Sequence, residues 1–157
     1  MTIPSCGTPS GTGSLFAEPS DSQPHRCYLA MRAQPASVGH ARHAVRHTLT
    51  VWRLDQITDD TQLVVSELLT NAVQAARTTP AAVQIVALYL ALDSGRLFVL
   101  VWDACPQLPV HDGHADDDAE TGRGLDIVKL VSDRCGTVTP VEGGKVVWAQ
   151  LNAQTCP

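Results

Sequence analysis

Apolar residues recur at helical spacing in two segments of the first half of the chain. Between Ser37 and Trp52 the apolar positions share one arc at about 100° per residue, at Val38, Ala41, Val45, Leu49 and Trp52. A second segment runs from Thr58 to Arg77, and its acidic start suits the positive end of a helix dipole. The pattern predicts two amphipathic helices, the first capped by Ser37 and the second by Thr58 or Asp59.

Short apolar runs separated by turn residues predict five strands. They are expected at Cys27 to Met31, Val83 to Leu92, Leu97 to Trp102, Thr137 to Val141 and Val146 to Leu151. The second and third strands are joined by Asp93-Ser-Gly-Arg96, and the last two by Glu142-Gly-Gly-Lys145. Both connections have the length and composition of hairpin turns, so two antiparallel hairpins are predicted.

A third helix is predicted after a long polar loop, Ala104 to Thr121, which is rich in acidic residues and has the length of a mobile lid. The helix begins at Gly122-Arg-Gly-Leu125 and is expected to end at Gly136. The order of elements is helix, helix, hairpin, loop, helix, hairpin. This order favours an α+β two-layer sandwich, with the helices on one face of a mainly antiparallel mixed sheet.

Length and composition indicate one folded domain between two tails. The 157 residues suffice for one domain of ordinary size. Residues 1–25 are dominated by Ser, Pro, Gly and Thr and are expected to form a disordered N-terminal tail. The domain is expected over residues 26–152, and residues 153–157 form a short C-terminal tail.

Charge and hydropathy exclude several functional classes. The formal net charge of −5 has the wrong sign for a protein that mainly neutralises phosphates, so neither nucleic acid nor a membrane surface is expected as a partner. The longest apolar stretch, Ala81 to Leu92, is too short to span a membrane, and the N-terminus lacks the features of a secretory signal. A cytoplasmic protein is predicted, and its five cysteines, which form no C-x-x-C pair, are expected to be free thiols.

Two polar residues stand at the apolar arc of the second predicted helix. Glu67 and Asn71 are four residues apart, so their side chains point the same way and could share one ligand. The amide oxygen of Asn71 suits a hard cation, and the carboxylate of Glu67 could act as a base. A structural role, with Asn71 bonded to nearby backbone and Glu67 at the helix boundary, fits this pair equally well.

Two further positions could bind a ligand. Asp103 directly follows an apolar strand, where its carboxylate could accept a hydrogen bond from an exocyclic amino group, although aspartate is also common in turns. Gly122 and Gly124 flank Arg123 at a predicted helix start, where unpaired amides and a fixed positive charge favour an anion. An ordinary junction between loop and helix is the alternative interpretation of that segment.

Taken in order, three motifs resemble the ATP-binding domain shared by histidine kinases, gyrase-type ATPases and anti-sigma-factor kinases. They are Glu67-Leu-Leu-Thr-Asn71-Ala, Val101-Trp-Asp103 and Thr121-Gly-Arg-Gly-Leu125. The resemblance covers about Ala36 to Leu151 and looks most like the anti-sigma-factor serine/threonine kinase branch, because the compact chain has no room for a phosphoacceptor helix pair ahead of this domain. It implies a Bergerat-type fold that uses ATP and magnesium.

The same resemblance implies roles for individual residues. Glu67 would activate the attacking hydroxyl group, Asn71 would bind magnesium, and Asp103 would accept the adenine amino group. The phosphates would be held by Gly122, Arg123, Gly124 and Leu125. The sequence departs from the family at two places, because Asp103-Ala-Cys-Pro replaces the usual D-x-G-x-G, and Gly144-Lys145-Val146 stands where a threonine is frequent.

Two hypotheses of function follow from the resemblance. In the first, the protein is a serine/threonine kinase that phosphorylates an anti-sigma-factor antagonist and also binds a sigma factor. In the second, it is a non-catalytic module of the same fold that binds nucleotide or sequesters a sigma factor or another regulator. Glu67 favours the first hypothesis, and the altered segment after Asp103 favours the second. The resemblance leaves open whether the protein is a homodimer.

Overall fold

The computed structural model describes residues 25–78, 84–107 and 123–154. These residues form five strands and three α-helices, with one 3₁₀ turn at Asp55–Ile57. The elements in chain order are β1 (Arg26–Arg32), α1 (Pro35–Val51), α2 (Thr58–Ala76), β2 (Ile85–Asp93), β3 (Arg96–Asp103), α3 (Arg123–Val131), β4 (Arg134–Val138) and β5 (Lys145–Asn152). Residues 1–24 of the predicted N-terminal tail, most of the predicted acidic lid and Gly122 lie outside the described residues.

The strands form one sheet in the order β1-β2-β3-β5-β4. Each of the four pairings among the described strands is antiparallel, including both predicted hairpins. The helices pack on one face of this sheet, which confirms the predicted α+β two-layer sandwich. The sheet was expected to be mixed, but the described pairings are antiparallel throughout.

The core lies between the sheet and the helices, with α2 at its centre. This helix contacts β2, β3 and β5 on one side and α1 and α3 on the others. Its largest fully buried side chains are Val64, Val65, Leu68 and Leu69. Apolar residues recur on several sides of α2 because the helix has neighbours on several sides, so little of its surface is left for polar groups.

The starts of the first two helices differ from the prediction. Helix α1 begins at Pro35, whose missing amide is tolerated in the first turn, and Ser37 lies inside the helix. The Ser37 hydroxyl is buried and donates to the backbone oxygen of Arg32, 2.7 Å away. Thr58 does not cap α2, because its Oγ1 is buried without a hydrogen-bond partner among the described residues.

The third helix is shorter than predicted. It ends at Val131, and β4 already begins at Arg134, so Gly136 is a strand residue instead of a helix terminator. A Cβ atom added to Gly136 would lie 3.1 Å from the indole ring of Trp148 on the neighbouring strand. Glycine is therefore favoured there by the close approach of a cross-strand tryptophan.

No helix within the described ranges combines the length and apolar character that crossing a bilayer requires.

Candidate functional site

Glu67, Asn71 and Gly124 meet where α2 packs against the first turn of α3. Both polar side chains are partly buried and project from the same side of α2. A Cβ atom added to Gly124 would lie 2.5 Å from Glu67 Oε2 and 3.7 Å from Asn71 Nδ2. The absence of a side chain at Gly124 therefore allows the carboxylate of Glu67 to approach the backbone of α3.

The start of α3 at this contact favours a negatively charged ligand, which would lie close to the Glu67 carboxylate. The first amides of α3 have no partner within the helix and carry its positive dipole end. Arg123 begins α3. Leu125 is partly buried and packs against the core, so it anchors this turn by an apolar contact.

Asp103 lies at the last position of β3, on the face of the sheet that is turned toward the helices. It is 1 % exposed, and its carboxylate receives two hydrogen bonds on Oδ1. The Lys145 ammonium donates one at 2.8 Å, and the backbone N–H of Cys105 donates the other at 2.9 Å. Among the described residues, the hydrogen bonds to this carboxylate all fall on Oδ1.

Lys145 is the residue whose role the sequence interpretation missed. It is 5 % exposed and occupies the first position of β5, directly opposite Asp103 in the strand register. Its ammonium also donates to the backbone oxygen of Cys105 at 3.2 Å. In the sequence, Lys145 was noted as a replacement for a frequent threonine. The ion pair follows from the pairing of β3 with β5, which the sequence alone did not provide.

Burial raises the pKa of the Asp103 carboxyl above its ordinary value of 3.8. The hydrogen bond from Lys145, its positive charge and the Cys105 N–H all favour the ionised form and oppose this shift. A buried ion pair is costly to break, since removal of one partner typically destabilises a protein by about 3–5 kcal/mol. Substitution of either partner alone would therefore leave a buried charge without its counter-charge.

Asp103 and the pair formed by Glu67 and Asn71 lie beside different turns of α2. Thr78, which follows the last turn of α2, contacts the Sγ of buried Cys105 at 4.0 Å, so the Asp103 segment lies beside that end of the helix. Asn71 is seven residues earlier, which corresponds to about 10 Å along a helix axis. This spacing suits one elongated ligand whose ends contact Asp103 and Glu67.

Other sequence predictions fall in part outside the described residues. Gly122 and the acidic residues of the predicted lid are not described, and of Arg123 only the backbone is. Within the described ranges, no three His, Cys, Asp or Glu side chains cluster as a metal site would require. A separate cleft of about 230 Å³ between α1 and α2 contains none of the predicted site residues and is lined by Pro35, Val38, Thr70, Val73, Gln74 and Arg77.

Comparison with known proteins identifies one family. Residues 31–151 match the family described as the histidine kinase-like ATPase domain. The match includes β2, β3 and β4 in full, β5 except for its last residue, and only the last two residues of β1. It contains Glu67, Asn71, Asp103 and Gly124. No curated protein matches the chain.

The close contact at Gly124 can be tested by comparing how two glycine-to-alanine substitutions change the free energy of unfolding. Gly39→Ala in α1 meets no atom within 4 Å and should raise the free energy of unfolding by about 0.5–1 kcal/mol, the usual gain in a helix. Gly124→Ala should gain less, because its methyl group displaces the Glu67 carboxylate, and the full gain should return in a Glu67→Ala background. Equal gains for both single variants in urea unfolding would contradict the contact.

Burial of Asp103 should appear in the pH dependence of stability. Because its pKa is raised, the folded protein binds the proton more tightly than the unfolded chain, and this stabilisation is lost as pH rises from 3.8 through the raised pKa. The unfolding free energy of the wild type minus that of Asp103→Asn should fall across this interval and then level off. Urea titrations at a series of pH values measure it, and a rising difference would contradict the assignment.

Proposed function

The chain belongs to the histidine kinase-like ATPase family, and from this premise we propose that it transfers the terminal phosphoryl group of ATP to a serine or threonine of a regulatory protein. The family's domain implies ATP binding. The observation that carries the kinase proposal is the convergence of Glu67, Asn71 and Gly124 at the contact between α2 and α3. A base, an amide oxygen and a helix N-terminus are thereby combined in one place.

The residues at this contact fit a magnesium-bound triphosphate. Gly124 has no side chain that would separate Glu67 from the first amides of α3, and these amides can donate to phosphate oxygens. The amide oxygen of Asn71 can serve as a magnesium ligand, and one protein ligand is sufficient because magnesium keeps several waters and takes phosphate oxygens. Asp103 would receive the adenine amino group on Oδ2, since its Oδ1 is bonded to Lys145 and Cys105.

Glu67 would act as the general base. Bound ATP would supply the phosphoryl group, and magnesium would neutralise phosphate charge. As the partner's hydroxyl oxygen bonds to the terminal phosphorus and ADP leaves, the carboxylate of Glu67 takes the hydroxyl proton. Partial burial restricts the rotamers of Glu67 and so keeps its carboxylate near the first turn of α3.

The partner we propose is an anti-sigma-factor antagonist, and the protein would also bind a sigma factor. This part of the proposal is supported by the resemblance of the motifs to the anti-sigma-factor kinase branch. Both partners would be met in the cytoplasm.

A second candidate function is favoured by the ion pair between Asp103 and Lys145. In the family, this carboxylate is the expected acceptor for adenine, but here a buried ammonium bonds to it. If the base cannot share Asp103 with Lys145, the chain would act as a module of the same fold that sequesters a regulator without phosphorylating it. Nucleotide binding and phosphate transfer separate the two candidates.

Magnesium dependence tests the role of Asn71. Magnesium–ATP at a hundred times its dissociation constant should add about 2.7 kcal/mol to the unfolding free energy of the wild type. Asn71→Ala should bind ATP with the same affinity whether or not magnesium is present, because the only proposed protein ligand is lost. Asn152→Ala, at the exposed end of β5, is the matched control and should retain the dependence. Calorimetric titration gives the affinities, and an unchanged dependence in Asn71→Ala would place magnesium elsewhere.

Phosphate transfer tests the role of Glu67. Glu67→Gln keeps the shape and hydrogen bonding of the side chain but cannot accept a proton, so transfer should fall by about 10²–10⁴ while ATP affinity is retained. Glu142→Gln, in the exposed turn before β5, makes the same change away from the site and should keep full activity. The measurement is radiolabelled phosphate transferred to the serine of candidate antagonist proteins.

The outcomes distinguish the candidates. Binding of ATP together with Glu67-dependent transfer supports the kinase. Binding of ATP or of a regulator, with transfer that Glu67→Gln leaves unchanged or with no transfer by the wild type, contradicts the kinase and favours the sequestering module.

A further inference from the structure

The Lys145 ammonium has more donor capacity than its bonds within the chain use. Among the described residues, Nζ donates to Asp103 Oδ1 at 2.8 Å and to the backbone oxygen of Cys105 at 3.2 Å. An ammonium carries three N–H groups and accepts no hydrogen bond. Lys145 is buried, where polar groups are generally hydrogen-bonded. The ammonium thus has one N–H beyond those that bond to Asp103 and Cys105.

The turn before β5 determines where this ammonium lies. Gly144 has a φ of +73°, a conformation that residues with a side chain rarely adopt. A Cβ atom added to Gly144 would overlap the backbone oxygen of Asp103. Lys145 follows directly in the chain and is the register partner of Asp103. The main chain therefore keeps Lys145 beside Asp103, in addition to the ion pair itself.

The ion pair presents a hydrogen-bond acceptor next to a donor. In this pair the carboxylate of Asp103 only accepts hydrogen bonds, and the ammonium of Lys145 only donates them. A threonine hydroxyl, which is frequent in the family near this position, can do either. The charges of the pair therefore fix the polarity of both groups, and a molecule that bonds to both needs a donor beside an acceptor.

Adenine carries this complementary pattern on one edge. Its 6-amino group is a donor, and the neighbouring ring nitrogen N1 is an acceptor. Guanine has the reverse order, because O6 is an acceptor and the neighbouring N1–H is a donor. Proteins that bind a single base recognise it by hydrogen bonds on this Watson–Crick edge. The fixed polarity of the ion pair therefore distinguishes the two purines.

We propose that Lys145 determines base specificity by donating its remaining N–H to N1 of adenine, while Asp103 accepts from the 6-amino group. The inference rests on the proposed function, because it takes the nucleotide site at Asp103 as its premise. Oδ1 keeps its bonds to Lys145 and Cys105, and the amino group bonds to Oδ2. The ion pair stays intact, so neither buried charge loses its partner.

The same pair excludes guanine. With the base in the same position, O6 would face the carboxylate and N1–H would face the ammonium, so acceptor would meet acceptor and donor would meet donor. Buried polar groups left unpaired in this way are costly. A site built to form one hydrogen-bonding pattern rejects analogues that lack it, so GTP should bind at least about a hundredfold more weakly than ATP.

Calorimetric titration of the full chain with magnesium and either ATP or 1-deaza-ATP, in which C–H replaces N1, tests the proposal. The wild type should bind 1-deaza-ATP about 10- to 100-fold more weakly than ATP, because the ammonium then faces a group that cannot accept. Lys145→Met removes the donor, so this variant should bind both nucleotides with equal affinity. Lys129→Met is the matched control, since Lys129 pairs with Asp126 on the surface of α3, and it should keep the wild-type ratio.

A second variant serves if Lys145→Met does not fold. Asp103→Asn combined with Lys145→Met removes both buried charges, and replacement of a whole buried pair is better tolerated than loss of one partner. This double variant should also bind ATP and 1-deaza-ATP with equal affinity, whatever its affinity for ATP itself.

The outcomes separate this inference from the proposed function. Equal binding of ATP and 1-deaza-ATP by the wild type overturns the inference and leaves the nucleotide site standing. A preference for ATP that persists without Lys145 assigns N1 to another donor and also overturns it, as does GTP that binds as tightly as ATP. If the wild type binds no nucleotide, the kinase proposal fails, and the role of Lys145 in base recognition fails with it.

Discussion

The packing of α2 against the sheet is the contact on which the core and the candidate site both depend. Leu68 and Leu69 are fully buried between the two partly buried polar positions, Glu67 and Asn71. The same turn of helix therefore supplies apolar area to the core and polar groups to the site. A shift of α2 against the sheet would also displace Glu67 from Gly124, because the buried and the polar side chains belong to one helix. The precision of the site is thus a property of the core.

At the other end of α2, the Asp103 carboxylate is used in the buried ion pair with Lys145 and is also the group proposed to bind a ligand. The family's expected base acceptor is already bonded within the chain, in surroundings that disfavour an ionised carboxylate without its partner. An incoming amino group must share the carboxylate with Lys145 or displace it, and displacement leaves a buried ammonium less well bonded. If Asp103 receives the adenine amino group as proposed, nucleotide affinity in this chain depends on Lys145 as well as on Asp103.

A two-layer architecture covers only one face of its sheet, and in this chain the other face is also apolar. Tyr89 and Leu100 alternate with core residues along their strands, so β2 and β3 are hydrophobic on both sides. Strands buried on both faces show this continuous pattern, whereas half-solvated strands alternate with polar residues. The central strands therefore have the hydrophobic pattern of strands covered on both faces, although the described helices cover only one face.

The sequence by itself determined what local periodicity can specify. Helical spacing was sufficient to place Glu67 and Asn71 on one side of a helix, and the turn residues identified both hairpins and the fold class. Only the tertiary structure decided which segments become neighbours, such as Asp103 and Lys145, which are 42 residues apart. It also decided that Gly136 belongs to a strand, because the reason for that glycine is the ring of Trp148 across the sheet. Periodicity states which residues share a face, but strand order and register, which depend on packing of the whole chain, determine what that face meets.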